Sequence, residues 1–504
     1  MDNHVSEYET VAGVSVPTGL FINGAWRKSS SGARFTVEDP ATGQTIASVA
    51  DADPSDALDA LASAAGAQQA WGHISPRQRA EILRTAFDLL QARRAEFASV
   101  LTAEMGKPLS ESLGEVSYGA EFFRWFAEQC AHVHGDYGPA PSGDFRIVTT
   151  KLPVGPCLLI TPWNFPLAMG TRKIGAALAA GCTLVLKPAA QTPLTAALLV
   201  QVLLQAGVPD GVVNLVPTTD AAAQSQTLMA DARLRKVSFT GSTAVGSTLL
   251  HQAADRVLRS SMELGGNGPF IVLEDADVDE AVEGAMLAKF RNGGQSCVAA
   301  NRFIVHTAVA ERFTNALALR TAELTVGPGS VDGVNIGPLI DARQRDKVHR
   351  LVTEASAAGA RVLCGGAPVP GDGYFYAPTV LADVPATARL NHEEIFGPVA
   401  PVTVARNDEE AVALANDTPF GLAAFLYTRD VTRAIDVSER LEAGMIGINR
   451  GLVSEAGAPF GGIKASGLGR EGGHVGIEEY LETKYLALSL TPPNKGTDQG
   501  GARP

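Results

Sequence analysis

The chain has few cysteines. Five are scattered over 504 residues, at positions 130, 157, 182, 297 and 364. An odd, dispersed set argues against a disulfide framework and for a reducing compartment, so a cytoplasmic location is expected. No two of them have the spacing of a zinc site, and no metal is expected. Basic residues are not in excess either. The net charge is −13, which makes a nucleic-acid surface a poor expectation. No uninterrupted apolar run reaches the roughly 18 residues that span a bilayer, so no membrane partner is expected. Met1-Asp2-Asn3-His4-Val5-Ser6-Glu7 is polar and acidic, without the basic and apolar regions of a secretory signal. Internal repeats and low-complexity tracts are lacking.

What is present is a globular composition, 45% apolar, at a length that calls for two or three domains. Residues 1–20 read as a loose leader. Phe21-Ile22-Asn23-Gly24-Ala25-Trp26 has the Asn-Gly turn of a hairpin. Asp53 and Ser55 are N-cap candidates for a helix over about 56–70, and Pro76 opens another, with Ile82, Leu83, Ala86, Leu89 and Leu90 at helical spacing. A third helix, about 114–132, carries Phe122, Phe123, Trp125 and Phe126, read as core packing.

From residue 151 short apolar runs alternate with helical stretches. Strands are expected at 157–160, 183–187, 212–216 and 236–240, with helices between them. Such alternation implies βαβ units and a parallel sheet, whose ligands bind beyond the C-terminal ends of the strands. A second α/β stretch runs from Phe270 to about 450. The turn between Glu263 and Pro269 is the expected boundary, and residues 488–504 read as a frayed tail.

The polar residues at the strand ends are the chemical candidates. Asn164, in Thr161-Pro162-Trp163-Asn164-Phe165-Pro166, is either a turn residue or an amide donor for an oxyanion. Lys187, in Lys187-Pro188-Ala189-Ala190, is either solvated or a holder of phosphate or ribose. Gly241-Ser242 opens a helix, where free N–H groups suit a phosphate, but this is not the G-x-G-x-x-G fingerprint. Glu263, before Leu264-Gly265-Gly266, is either a surface carboxylate or a general base. Phe290-Arg291-Asn292-Gly293-Gly294-Gln295-Ser296-Cys297 sets one cysteine among small, flexible residues. It is either a buried thiol or a nucleophile, and Arg291 either supports a thiolate or binds an anionic substrate.

Taken in order, these motifs resemble the aldehyde dehydrogenase superfamily from about residue 20 to 488. Glu394-Ile395-Phe396-Gly397-Pro398 and Pro459-Phe460-Gly461-Gly462 complete the set. Thr171-Arg172-Lys173, Lys289-Phe290-Arg291-Asn292, Ile336-Gly337-Pro338-Leu339-Ile340 and the run from Phe460 to Gly472 are similar to the succinate-semialdehyde dehydrogenases within it. The resemblance implies an α/β fold. A Rossmann-like parallel-sheet cofactor domain (1–139 and 155–268) and an α/β catalytic domain (269–450) would be joined by a small β oligomerisation flap (140–154 and 485–491). Residues 451–484 would return to the cofactor domain and form a substrate-site loop, and 492–504 would be a flexible tail.

It further implies that Cys297 attacks the aldehyde and that Asn164 and the Cys297 N–H stabilise the oxyanion. Glu263 would activate the hydrolytic water, and Glu471 matches a position proposed for proton relay. Trp163, Lys187, Gly241, Ser242, Glu394 and Phe396 match dinucleotide contacts. Ala190 stands where NAD-specific relatives often have Glu, so NADP is expected to be preferred over NAD. Arg172, Arg291 and Ser454 match positions that bind the substrate's distal carboxylate. The implied reaction oxidises succinate semialdehyde to succinate; the alternatives are glutarate semialdehyde and a broad aldehyde range. A homodimer or homotetramer is implied. Ala299 replaces the second cysteine that forms a redox disulfide in some relatives, so that switch is not available. The rival reading, a cysteine hydrolase, needs a histidine beside the thiol. The nearest in sequence is His306, on an expected strand.

Overall fold

Short apolar strands buried on both faces are the hallmark of a parallel sheet covered by helices. In the computed structural model, which describes residues 8–490, the chain between Cys157 and Glu263 forms five of them. These are β1 (Cys157–Ile160), β2 (Leu184–Lys187), β3 (Val213–Leu215), β4 (Lys236–Thr240) and β5 (Arg259–Glu263). They lie in the order β5-β4-β1-β2-β3, all parallel. Leu20–Ile22 and Ala25–Arg27 extend one edge as the expected hairpin, and Gly467–Leu468 pairs antiparallel on the other.

Register decides where function collects. Lys187 pairs with Ile160, Phe239 with Ile160, and Thr240 with Glu263, so one edge of the sheet gathers the ends of four strands. The helices flanking this edge are α1 (Leu109–Gln129), α2 (Pro166–Ala180), α3 (Pro193–Gln205) and α4 (Thr243–Ala254). Every residue of α2 is buried, Arg172 and Lys173 included. Burial of charge requires partners, and these lie in the candidate site.

The chain then passes to a second sheet through residues 264–267 alone. Its strands are β6 (Gly268–Val272), β7 (Ala300–His306), β8 (Thr379–Ala382), β9 (Val399–Ala405), β10 (Ala423–Tyr427) and β11 (Met445–Ile448). The order is β8-β9-β7-β6-β10-β11, parallel throughout, with Arg361–Cys364 antiparallel on β8. Phe270, Phe303, Phe313 and Phe425 form its aromatic core. Since 264–267 is so short, the C-terminal edge of the first sheet faces the N-terminal edge of the second. Helix α5 (Val278–Phe290) leads to the cysteine loop, which enters β7 at its N-terminal end.

Two sequence expectations need correction. Residues 8–17 are not loose: Tyr8–Val11 and Val14–Pro17 pair as a hairpin, with Val11 and Val16 buried and Ala12-Gly13 turning in the left-handed region. A helix also follows the second one directly, over Arg94–Met105. A third sheet joins Tyr137–Pro139, Phe145–Pro153 and Leu481–Ser489, the last two paired antiparallel along nine residues. Among the described residues no helix is long and apolar enough to cross a membrane. The tail expected at 492–504 lies outside the described residues.

Candidate active site

The cysteine loop is built by a left-handed backbone and three amide contacts. After α5, Asn292, Gly293 and Gly294 all take left-handed φ, at 55°, 59° and 73°. Glycine bears this without strain. At Gly294 a β-carbon would also meet the Gly397 carbonyl at 2.2 Å. Asn292 holds its conformation by donating from Nδ2 to the carbonyls of Asn164 (2.9 Å) and Gln295 (3.0 Å). Gln295 accepts the Ile340 N–H at 3.0 Å. Across the sheet-to-sheet turn, a β-carbon on Gly266 would lie 2.2 Å from the Cys297 carbonyl, so only glycine lets this turn close on the thiol loop.

Cys297 is partly exposed, into a cavity of about 210 Å³. Trp163, Asn164, Gly241, Ser242, Glu394 and Phe396 line it as well. Asn164 is 4% exposed. Its Nδ2 donates one proton to the Gln295 carbonyl at 3.1 Å and has a second to offer. Phe396 sits at φ 56°, a costly conformation for an aromatic residue. Gln344 holds it there by donating to the Ile395 (3.1 Å) and Phe396 (2.9 Å) carbonyls, and the Phe396 ring meets Trp163 edge-on at 5.3 Å. Ser242 caps α4 and, with Gly241, brings the start of that helix to the cavity wall. Glu394 accepts the Gly266 N–H at 3.1 Å, and Lys347 donates to the Glu394 carbonyl at 2.7 Å. This aromatic-walled cleft ending at a helix N-terminus fits a dinucleotide.

Behind the thiol lies a carboxylate pair. Glu263 is 3% exposed, and its Oε2 is buried with no protein partner. Glu471 pairs with Lys173 Nζ at 2.5 Å and with Arg172 Nη1 at 3.4 Å. Burial, then the neighbouring Glu471, pushes the Glu263 carboxyl well up. Lys173 and Arg172 outweigh burial at Glu471 and hold it down. Of the two, Glu263 therefore has the higher proton affinity. Burial chiefly, with Glu394 and Glu263, raises the Cys297 thiol to about 12 in the ligand-free protein; Arg172 opposes them. Burial lifts Glu394 to about 7 and lowers Lys187 to about 8.

Of the carboxylate-binding candidates Arg172 contacts this pair, and none of the three lines the cavity. Arg172 is 1% exposed, stacks 4.0 Å over the Phe460 ring, and donates to Tyr118 Oη at 2.6 Å. Its Nε is buried without a protein partner. Phe460 packs with Cys297 and Val298. Arg291 lies 4.9 Å over Phe165, and Ser454 is buried. Lys187 is buried, donating to the Pro188 carbonyl at 3.2 Å, beside half-buried Ala190. Neither lines the cavity. His306 sits at the far end of β7 from the cysteine loop, facing Glu274 at 3.7 Å, so no histidine activates the thiol from that position. Tyr118, Gln344 and Lys347 are site residues that sequence reasoning missed; no local motif marks them.

A partly exposed thiol and a buried amide lining one aromatic-walled cleft at the sheet edge suit an NAD(P)-linked aldehyde oxidiser. The aldehyde dehydrogenase family profile matches residues 26–486, and the chain belongs to that family. Relatives are similar over nearly their whole length. A succinate-semialdehyde dehydrogenase of Paenarthrobacter nicotinovorans is 55% identical over 444 residues, 88% of this chain and 99% of its own. A glutarate-semialdehyde dehydrogenase of Pseudomonas putida KT2440 is 46% identical, over 93% of this chain and 97% of its own. The crystal structure of an Escherichia coli NADP-dependent enzyme superposes with a TM-score of 0.93 at 47% identity, covering 94% of this chain and 98% of that one.

Proposed function

We propose that this enzyme oxidises succinate semialdehyde to succinate with NADP as the preferred acceptor. The observation that carries the substrate is Arg172. A fully buried guanidinium with an unpartnered Nε, close enough to the thiol to lower its pKa, is a costly feature that an anionic substrate relieves. With Arg291 and Ser454 it would hold the distal carboxylate while the aldehyde lies at Cys297. The relative from Paenarthrobacter supports the same chemistry.

Cys297 Sγ, its proton lost to solvent, attacks the carbonyl carbon as the thiolate, and the carbonyl oxygen becomes an oxyanion. The free Nδ2 proton of Asn164 and the Cys297 N–H stabilise it. When bound, the nicotinamide supplies the hydride acceptor. Trp163, Phe396, Glu394 and Ser242 would hold the dinucleotide in this cleft. Glu263, as its carboxylate, takes a proton from the water that cleaves the resulting thioester. Succinate leaves and the thiol is restored. Replacing Arg291 by Ala is expected to raise KM for succinate semialdehyde by about 10- to 100-fold. KM for an uncharged aldehyde of similar length changes little. Equal effects on both would count against carboxylate binding. Glutarate semialdehyde is the second reading, favoured by the Pseudomonas putida relative. One methylene is worth only about 1–3 kcal/mol, so a kcat/KM series over semialdehydes of three to five carbons ranks them.

Ala190 supports NADP. It places no carboxylate beside the adenosine ribose, and Lys187 is near enough to its own pKa to be drawn fully cationic by a 2′-phosphate. NADP is expected to exceed NAD in kcat/KM; a preference for NAD above tenfold would sink the assignment. Ala190→Glu is expected to reverse the order, since like charges in contact cost several kcal/mol.

The exposed strand Leu481–Ser489, with Tyr485, Leu486 and Leu488 open to solvent, supports assembly into a dimer or dimer of dimers. In this reading the first sheet is the cofactor domain, the second the catalytic domain and the third the oligomerisation flap.

A further inference from the structure

Beneath the oxyanion donor lies an ion pair with no part in the steps above. Lys107 Nζ meets Glu115 Oε2 at 2.5 Å, each side chain 1% exposed. A buried pair of this kind adds little net stability, so its other contacts show its use. Lys107 Nζ also donates to the main-chain carbonyl of Asn164 at 2.8 Å and sits 4.0 Å over the Phe165 ring. The second oxygen of Glu115 accepts the N–H groups of Leu167 (3.0 Å) and Ala168 (3.2 Å). Helix α2 has Phe165 at its N-cap and no side-chain cap of its own. Glu115, reaching across from α1, takes that place. One turn earlier on α1, Glu111 accepts the Asn292 N–H at 2.7 Å, and Asn292 donates in turn to the Asn164 carbonyl.

We propose that the Lys107–Glu115 pair is a positioning unit for the oxyanion donor. It pins the Asn164 main chain from one side and the start of α2 from the other. The Asn164 amide, with one proton committed to the Gln295 carbonyl, then aims the second at the oxygen of the attacked carbonyl. Glu111 ties the cysteine loop to the same end of α1, so donor and nucleophile share one support. The proposal rests on Asn164 being the oxyanion donor. A displacement of about 1 Å at such a site costs on the order of 10²-fold in rate.

The test compares Lys107→Met/Glu115→Gln, which removes both charges together, with Asn164→Ala and with the triple variant. Glu115→Gln alone serves if the paired variant fails to fold. Two rates are read: kcat with succinate semialdehyde and NADP, and alkylation of Cys297 by iodoacetamide, which forms no oxyanion. The paired variant is expected to lose about 10- to 100-fold in kcat and keep alkylation within about twofold. Asn164→Ala loses about 10²- to 10³-fold, and the triple variant loses no more than that. Wild-type kcat in the paired variant, losses that multiply in the triple variant, or alkylation falling in step with kcat would each overturn the pair's role. Full kcat in Asn164→Ala would remove Asn164 as the donor and the proposal with it.

Discussion

The Glu263→Gln variant is expected to form about one equivalent of reduced cofactor per subunit in a rapid burst, then turn over about 10²- to 10⁴-fold more slowly than the parent. Gln keeps the volume and one hydrogen-bonding oxygen, so the fold and the thiol loop are preserved. It removes the buried carboxyl behind the thiol whose proton affinity burial and the neighbouring Glu471 have raised. Acylation needs no such base at Glu263, and thioester hydrolysis does. Quenched-flow measurement with mass analysis of the Cys297 peptide distinguishes the steps: acylated Cys297 accumulates in the variant. A variant slowed equally in the burst, with no acyl adduct, would assign Glu263 to an earlier step. The pH response has a fixed sign. Water activation needs the carboxylate, so hydrolysis is lost as pH falls through the raised Glu263 pKa, and the slow residual rate of the Gln variant lacks that limb.

Cys297→Ala is expected to lose at least about 10⁴-fold in aldehyde oxidation, because no neighbouring group replaces a missing nucleophile. Binding of the dinucleotide, followed by quenching of Trp163 fluorescence, is expected to persist, since the sulfur is one wall of the cavity and not its support. Retained oxidation would refute the assignment outright. In the parent enzyme without cofactor, the thiol at about 12 is almost wholly protonated at neutral pH. Iodoacetamide labelling therefore rises about tenfold per pH unit from 7 to 9 with no plateau. Arg172→Met slows it at every pH, because that guanidinium is the cation lowering the thiol. A plateau below pH 8 would show that burial does not hold the Cys297 thiol up.

Parts of this molecule were legible in the sequence for clear physical reasons. Parallel strands buried on both faces read as bare apolar runs, so Cys157–Ile160 and Leu184–Lys187 stand out, and the polar residue after each marks the functional edge. The hairpin of Tyr8–Pro17 did not stand out. Its strands are short and half polar, and only Val11, Val16 and Pro17 are buried. Arg94–Met105 was hidden because Arg93 alone separates it from the preceding helix. At the site, the motif residues Trp163, Asn164, Gly241, Ser242, Cys297, Glu394 and Phe396 do converge. Lys107, Glu115 and Tyr118 escaped notice because a charged or phenolic residue near a helix reads as a solvated face. Their partners Asn164, Leu167 and Arg172 lie about fifty residues on, where no local pattern reaches. The opposed polarity of the two sheets was equally invisible, since it follows from the shortness of 264–267.

That short span has a consequence for how the gene tolerates change. Residues 264–267 are the direct link between the strand ending at the base and the strand beside the thiol loop, with Gly266 packed on the Cys297 carbonyl. Adding or deleting one residue there would slide the two sheets by about 3.3 Å, well beyond the roughly 1 Å that separates a productive from an idle arrangement. The length of this link is therefore constrained as tightly as its glycine at 266. Insertions that split the family into lineages are expected in the outer loops of either sheet and not in these four positions.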